Sequence, residues 1–454
     1  MLNEATRQFV RLHGDDDVRR LALQAHATPN VDLPVALDQI RGRQTARQKL
    51  PSWATTEGIV YPPHLSMEQC SSEQTAQYKA QLLARLLQSE FSMKSAFFAD
   101  SPTASHGDCC FLDLTGGFGV DFVAMAKALS DFSAQNNDFR QNRFVYVEQN
   151  ARLCDLARHN FPLLGLPNVE IVCDTAENFL KSSSLLLPRS SFLVYIDPAR
   201  RDAHGQRTYA LEDCTPNVLE ICDQLFKIAD LPTASHGDRW FIVVKLSPML
   251  DWHRAVEELK TVSEVHIVSV ANECKELLLV VQKKAQKTRI FCVNDHQSFS
   301  YDGENNEKNV PCIAETAFLS EKNLLFLPNS SVMKAGCFAE LCDRFHLTSL
   351  APNSHLFVKI DESSAAKIDE SSTEKIDDFP GKIFQISAIS SMNKRDLRDK
   401  FKDIDRANIA TRNFPIKPEE LRRRLKLREG GDNFIFATTL ADGKHVLILC
   451  KHAH

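Results

Sequence analysis

Hydrophobic and polar positions fall into different rhythms along the chain. Up to about residue 96 the apolar positions recur mostly at helical spacing. Ser72–Leu87 (SEQTAQYKAQLLARLL) is the clearest case: Ser71 or Ser72 can cap it, and Glu73 sits in the first turn where negative charge favours the dipole. Residues 50–67 hold Pro51, Pro62 and Pro63 and read as loop. From Cys109 the rhythm changes to apolar runs of strand length: CFLDL, RFVYVE, VEIVC, FLVYID, WFIVVKL, EVHIVSV and ELLLVVQ. Helical stretches such as Val120–Leu129 and Ala151–Asn160 separate the first five. Fully apolar strands alternating with helices predict a parallel sheet covered on both faces. Only Ala271–Lys275 separates the last two runs, too few residues for a crossover, so they are antiparallel neighbours.

The pattern predicts an α/β, seven-stranded, doubly wound Rossmann-like sheet over 97–284, after an N-terminal helical region, 1–96. Residues 285–383 predict strands at Thr288–Val293 and Leu324–Leu327 and a helix at Val332–Phe345. Residues 384–454 read as a small α+β unit. In it, helix Pro418–Leu427 precedes strands Phe434–Leu440 and Val446–Cys450, joined through the turn Asp442-Gly443. Two repeats, ADSPTASHGD (99–108) with ADLPTASHGD (229–238) and KIDESS near 359–378, read as polar insertions.

Composition narrows the class. The 454 residues carry a net charge of −5 with 43% hydrophobic residues, ordinary for a globular chain. No run of 18 apolar residues exists, and the N-terminus lacks the apolar stretch of a signal peptide. Thirteen cysteines without a CxxC argue against a disulfide scaffold or a zinc ribbon, so the expectation is a cytoplasmic chain without metal.

The chemistry concentrates where strands end. Phe111-Leu-Asp-Leu-Thr-Gly-Gly-Phe-Gly-Val-Asp121 is a strand ending in an acid, then a glycine-rich turn opening a helix, at the edge where open α/β sheets bind ligands. Gly116, Gly117 and Gly119 let backbone approach a ligand. The NAD fingerprint fails, because Phe122 stands where its third glycine belongs. Asp113, just before the turn, suits a ligand with a positive charge or an amine. Glu148, ending the second strand, suits the two hydroxyls of a ribose. Asp174 suits either an exocyclic amine of a purine or the cap of the next helix. The fourth strand ends Asp197-Pro-Ala-Arg200-Arg201-Asp202, a stiff turn holding a carboxylate at the edge beside two arginines that fit anions or pair with Asp202 or Asp213.

These features resemble a class I S-adenosylmethionine-dependent methyltransferase over about 110–282. The resemblance implies that Gly116, Gly117 and Gly119 flank the methionine part of the cofactor, with Asp113 near its amino group. It implies Glu148 on the ribose diol, Asp174 and Thr175 near the adenine, and Asp197 facing the reacting methyl. Thr115, Asp121 and Gln149 complete the cofactor set. Asp197 and Arg200 are the catalytic candidates. The amino-methyltransferase pattern, Asp/Asn-Pro-Pro then an aromatic, is Asp-Pro-Ala-Arg here, which disfavours adenine N6. The fifth strand ends in Ser247, and Cys214 lies well beyond the fourth-strand turn, which disfavours covalent cysteine catalysis.

A wider set of motifs covers nearly the whole chain: EQCSSEQTAQYK (68–79), DLTGGFGVD, IDPARRD, PNSSVMKAG (328–336), RNFP (412–415) and LKLREGGD (425–432). They are similar to a bacterial methyltransferase-like family with a ferredoxin-like segment, here 285–383, and a C-terminal THUMP-like domain, here 384–454. THUMP domains are associated with RNA, so the resemblance implies an RNA substrate. Residues 393–428 hold 13 Lys/Arg against 6 Asp/Glu, a local +7 on a chain otherwise near −12. Arg422, Arg423 and Arg424 suit a phosphate backbone or a solvated helix face. Arg200, Arg201 and Lys334 join them as substrate contacts, and Asn329 with Lys334 could meet a ligand at a helix start. Cys450, His452 and His454 lie on a terminus too loose for a metal, and His204 and His253 are unremarkable. The alternatives are a methyltransferase of a protein or small molecule, and an inactive RNA-binding relative.

Overall fold

A computed structural model describes residues 2–24, 29–97, 109–136, 142–182, 191–199, 211–229, 240–283, 287–303, 319–321, 323–359 and 376–453. The N-terminal helices are α1 (Glu4–Leu12), α2 (Val18–Gln24), α3 (Leu33–Lys49), α4 (Pro51–Thr55), α5 (His64–Gln69) and α6 (Glu73–Phe97). The stretch expected as loop at 50–67 holds α4 and α5. Pro51 occupies the first helical turn of α4, where its missing N–H costs nothing. Ser72 caps α6 by accepting from Thr75 N at 3.2 Å.

All seven expected strands form: β1 (Cys109–Asp113), β2 (Asn142–Val147), β3 (Val169–Val172), β4 (Ser191–Ile196), β5 (Trp240–Leu246), β6 (Val262–Val270) and β7 (Glu273–Val281). Their helices are α7 (Val120–Asn136), α8 (Ala151–Leu163), α9 (Ala176–Ser182), α10 (Val218–Ala229) and α11 (Trp252–Leu259). β1 pairs in parallel with β2 and β4, β2 with β3, and β4 with β5. Ala271 and Asn272, both with positive φ, join β6 to β7 in a two-residue turn, the geometry of a tight hairpin. The sheet continues beyond them with β8 (Arg289–Asn294), parallel to β6, and β9 (Gln297–Asp302), giving the order β3-β2-β1-β4-β5-β7-β6-β8-β9. The strand expected at 288–293 within the ferredoxin-like segment thus extends the first sheet.

Contacts divide the chain into two units. One holds 1–263 and 278–286, so the N-terminal helices and β1–β5 belong together; the other holds 264–277 and 287–454. Within the first, Trp53 and Tyr61 pack on Phe118 in the turn after β1, and Asn160 of α8 bonds both backbone groups of Val60. Buried Thr75, Lys79, Leu82, Leu83 and Leu86 form the inward stripe of α6.

The second unit contains β10 (Leu324–Pro328), α12 (Ser330–Ala335), α13 (Phe338–Phe345), β11 (Leu347–Ser349), β12 (Phe357–Lys359), β13 (Gly381–Ser391), α14 (Lys394–Phe401), β14 (Asn408–Arg412), α15 (Pro418–Leu425), β15 (Phe434–Thr439) and β16 (His445–His452). These strands make one seven-stranded sheet, β11-β12-β10-β13-β16-β15-β14. β13 crosses the expected boundary at 383/384, and its antiparallel pairing with β10 joins the two C-terminal segments. The single helix expected at 332–345 is two, because Gly336 turns left-handed (φ 73°) and closes α12. Lys426 does the same for α15, two residues earlier than expected. No helix among the described residues is long and apolar enough to cross a membrane, and none of these residues form a group of three metal-ligating side chains. Both repeats lie largely or wholly outside the described residues.

Candidate active site

The carboxyl ends of β1, β2 and β4 meet at one rim. Their central strands are apolar and buried, so the first polar side chain beyond each is fixed by the register below it. Leu114 N donates to Tyr195 O, and Gly116 N donates to Val147 O, so the turn after β1 stays bonded to both neighbours.

Glu148 occupies the β2 corner. Its Oε2 accepts from Gly117 N at 2.8 Å, and its Oε1 accepts from Asn150 N at 2.7 Å. Each oxygen keeps a further lone pair. Gly117 has φ 59°, and a β-carbon there would meet nothing closer than Thr115 O at 3.8 Å, so its face is open. Gly116 and Gly119 have another reason to be glycine. A β-carbon on Gly116 would lie 2.2 Å from the Tyr146 ring, and one on Gly119 would lie 2.6 Å from Phe161. The Tyr146 hydroxyl donates to Gly117 O at 2.5 Å. Ring packing therefore shapes the turn, and only Gly117 offers the open backbone expected of all three.

Asp113 is buried at the foot of the turn. Its Oδ1 accepts from Thr115 N at 2.9 Å. Burial drives its pKa well above the ordinary range; the Thr115 N–H opposes this, and the charges of Asp121, Asp197 and Glu148 add to it.

Asp121, in the first turn of α7, faces inward. Burial alone would raise its pKa, but Lys79 and Lys245, with hydrogen bonds from Tyr195 and Ser71, hold it below the usual value. Lys79 Nζ lies 3.1 Å from Oδ1, and the Tyr195 hydroxyl and Ser71 Oγ donate to Oδ2 at 2.7 and 2.8 Å. Asp121 is thus part of a buried network.

Asp197 closes the β4 end. Its N–H donates to Thr115 Oγ1 at 2.6 Å, and Ala199 exchanges two backbone bonds with Thr215, which pins the Asp-Pro-Ala turn. Lys245 Nζ donates to Asp197 Oδ2 at 2.6 Å and to Ser71 Oγ at 3.2 Å, and stands 3.8 Å from Asp121. The Asp197 side chain remains 38% exposed, whereas Lys245 is 12% exposed. Burial raises the Asp197 pKa despite the Lys245 cation.

At the β3 corner, Thr175 is the cap of α9, accepting from Asn178 N at 3.2 Å, while Asp174 Oδ1 binds Thr175 N and Asn178 Nδ2. Gln149 is exposed beside Glu148. Arg200 and Arg201 lie outside the described residues, as does His204. Cys214 is buried. Lys334 lies in the last turn of α12 in the other unit. Asn329 caps α12 and donates to Gln297 Oε1 at 3.0 Å, so its role is to start a helix. On α15, Arg424 pairs with Glu420 at 2.5 Å and Arg422 with Glu429 at 3.5 Å, while Arg423 is exposed. Cys450 is buried within β16 and His452 stacks on Phe384.

Sequence reading missed Lys79, Lys245, Ser71 and Tyr195. A signal existed: a lone lysine in the apolar run WFIVVKL, and another on the inward stripe of α6, demand buried acids.

Comparison with known proteins adds the larger frame. Residues 381–452 match the family described as THUMP domain-like, and 324–363 match the family described as a ferredoxin-like domain. A crystal structure from Porphyromonas gingivalis W83, described as a "putative methyltransferase", is 28% identical over 100% of both chains, with a TM-score of 0.71. A SAM-dependent methyltransferase from Agrobacterium tumefaciens is 17% identical, covering 47% of this chain and 62% of its own, with a TM-score of 0.27. No curated protein matches the chain. The sheet order and whole-chain likeness give the sheet that begins at β1 the class I methyltransferase fold. The protein combines this fold with ferredoxin-like and C-terminal THUMP-like domains.

Proposed function

We propose that the protein is an S-adenosylmethionine-dependent methyltransferase acting on RNA. The observation that carries this reading is the rim itself: Glu148 held by Gly117 N and Asn150 N, with the open face of Gly117 beside it and Asp197 at the end of β4. Glu148 fits a ribose diol, because two oxygens oriented by backbone donors keep lone pairs for two hydroxyls. Gly117 leaves room for the methionine part. When bound, the cofactor supplies a methyl group on sulfur with its own leaving group. The chain's part is to orient the acceptor, which falls to Asp197, with Arg200 and Arg201 holding phosphate.

RNA is supported by the THUMP-like match and the basic segment 393–428, and it rests on that analogy. Eleven of the described cysteines are free thiols, which accords with a reducing, cytoplasmic setting. The test is titration calorimetry with S-adenosylhomocysteine, then transfer of labelled methyl from the cofactor to total bacterial RNA. Binding that weakens in Glu148→Ala, with label lost after ribonuclease treatment, is expected. Absence of binding overturns the reading, and label that survives ribonuclease overturns its RNA part.

A further inference from the structure

Methyl transfer leaves the chain a choice that the charges around Asp197 decide. The groups facing its carboxylate come from three elements: Lys245 on β5, Asp121 on α7 and Lys79 on α6. Asp113 on β1 also feels its charge, through burial in the same foot of the turn. Lys245 is the nearest, with Nζ 2.6 Å from Oδ2, and it is itself held by Ser71 Oγ at 3.2 Å. Lys79 and the Tyr195 hydroxyl hold Asp121 at the back. The lysine thus has a fixed seat and a fixed partner, while the Asp197 side chain still reaches the rim.

We propose that Lys245 is a positioning residue that holds Asp197 aimed at the acceptor and offsets the burial of its carboxylate, and that its cation selects a hydroxyl oxygen, such as that of a ribose, over a ring or exocyclic nitrogen. This rests on the methyltransferase reading above. The physical ground is the sign of the charge that develops. An amine nucleophile becomes positive as its lone pair forms the new bond, and an ammonium nearby opposes that. A hydroxyl gives up its proton and becomes negative, and the same ammonium stabilises it. In balanced form, the hydroxyl proton passes to Asp197. The oxygen lone pair forms the O–C bond, and the C–S bond breaks with its electrons left on sulfur. Asp197 becomes neutral at that moment and no longer offsets the Lys245 cation where the oxygen is most negative, while Asp121, 3.8 Å from the ammonium, keeps its own charge. The absence of an aromatic after Asp197-Pro-Ala, where a flipped base would stack, agrees with an oxygen acceptor.

Two measurements test this in the full-length protein. The first reads the Asp197 carboxyl by ¹³C NMR titration, its signal assigned by its loss in Asp197→Asn. Lys245→Gln raises the Asp197 pKa by roughly one to three units, as removal of a cation at contact distance should, and Lys245→Arg restores most of it. An unchanged titration in folded Lys245→Gln overturns the positioning role. If Lys245→Gln does not fold, a Lys245→Arg titration that departs from the wild type by as much as the full expected shift counts against it. The second identifies the product. RNA labelled from the cofactor is digested with alkali, which cannot cleave next to a methylated ribose hydroxyl. Label in alkali-resistant dinucleotides supports the proposal, and label on a base overturns the oxygen selection. RNA that takes up no label from a protein that binds S-adenosylhomocysteine overturns both the RNA reading and the selection of a ribose oxygen, whereas the NMR titration still judges Lys245 separately.

Discussion

The ring of Tyr146 fills the position that a β-carbon on Gly116 would take, 2.2 Å from its Cε2. The glycine-rich turn is therefore as much a packing device as a binding one. Gly116→Ala forces that ring or the turn to move and is expected to destabilise the protein by about 1–3 kcal/mol, the usual cost of overpacking. Chemical denaturation measures it, and combining Gly116→Ala with Tyr146→Leu should recover part of the loss. A midpoint equal to the wild type in Gly116→Ala would contradict the packing.

Lys79 and Asp121 are buried together, 3.1 Å apart. Lys79→Met leaves Asp121 with the more distant Lys245 and is expected to cost about 3–5 kcal/mol, as breaking a buried pair does. The double variant Lys79→Met with Asp121→Asn should be more stable than Lys79→Met alone. Denaturation midpoints of the three proteins decide it; additive losses would show that the two side chains do not interact.

Asp113 and Asp121 impose opposite pH dependences. The Asp113 pKa is raised on folding by burial, so the folded state holds its proton more tightly than the unfolded chain. Its contribution to stability is present below the unfolded value and is lost as pH rises toward the folded one. Asp113→Asn is therefore expected to be more stable than the wild type near pH 7, with the difference vanishing in acid. Asp121, depressed mainly by Lys79 and Lys245 against its burial, stabilises above the ordinary carboxylate value and loses that contribution as pH falls through its folded pKa. Thermal unfolding across pH reads both, and a wild type more stable than Asp113→Asn at neutrality would refute the assignment for Asp113.

Arg423 on α15 is exposed, whereas Arg424 is paired with Glu420. In RNA binding followed against salt, Arg423→Ala should lower the slope of log K against log salt by about one, the signature of one lost phosphate contact. Arg424→Ala should change it less. Equal effects would mean that the Glu420 pair opens on binding.

The sheet from β1 to β7 was legible because its strands are apolar runs of strand length and the segments between the first five are helical in spacing. The hairpin of β6 and β7 was legible because the five residues Ala271–Lys275 between their apolar runs are too few for a crossover. What lay hidden was charge inside that apolar frame. Lys245 in WFIVVKL looks like strand filler until the neighbouring acids are placed, and Lys79 looks like a solvated helix residue until the stripe of α6 turns out to face inward. Asp121 entered the cofactor set through the resemblance, and its sequence position carried no sign of the buried network with Lys79, Tyr195 and Ser71 that its side chain joins. The break at Gly336 was missed because Val332–Phe345 keeps helical apolar spacing through a residue whose left-handed conformation only geometry reveals.

The backbone bonds between β10 and β13 carry a practical consequence for anyone dissecting the molecule. Cutting between the ferredoxin-like and THUMP-like parts would strip each piece of its neighbour and leave a raw, apolar strand margin on both. Such margins recruit other chains, so the halves made separately should clump, and remixing them should rescue solubility.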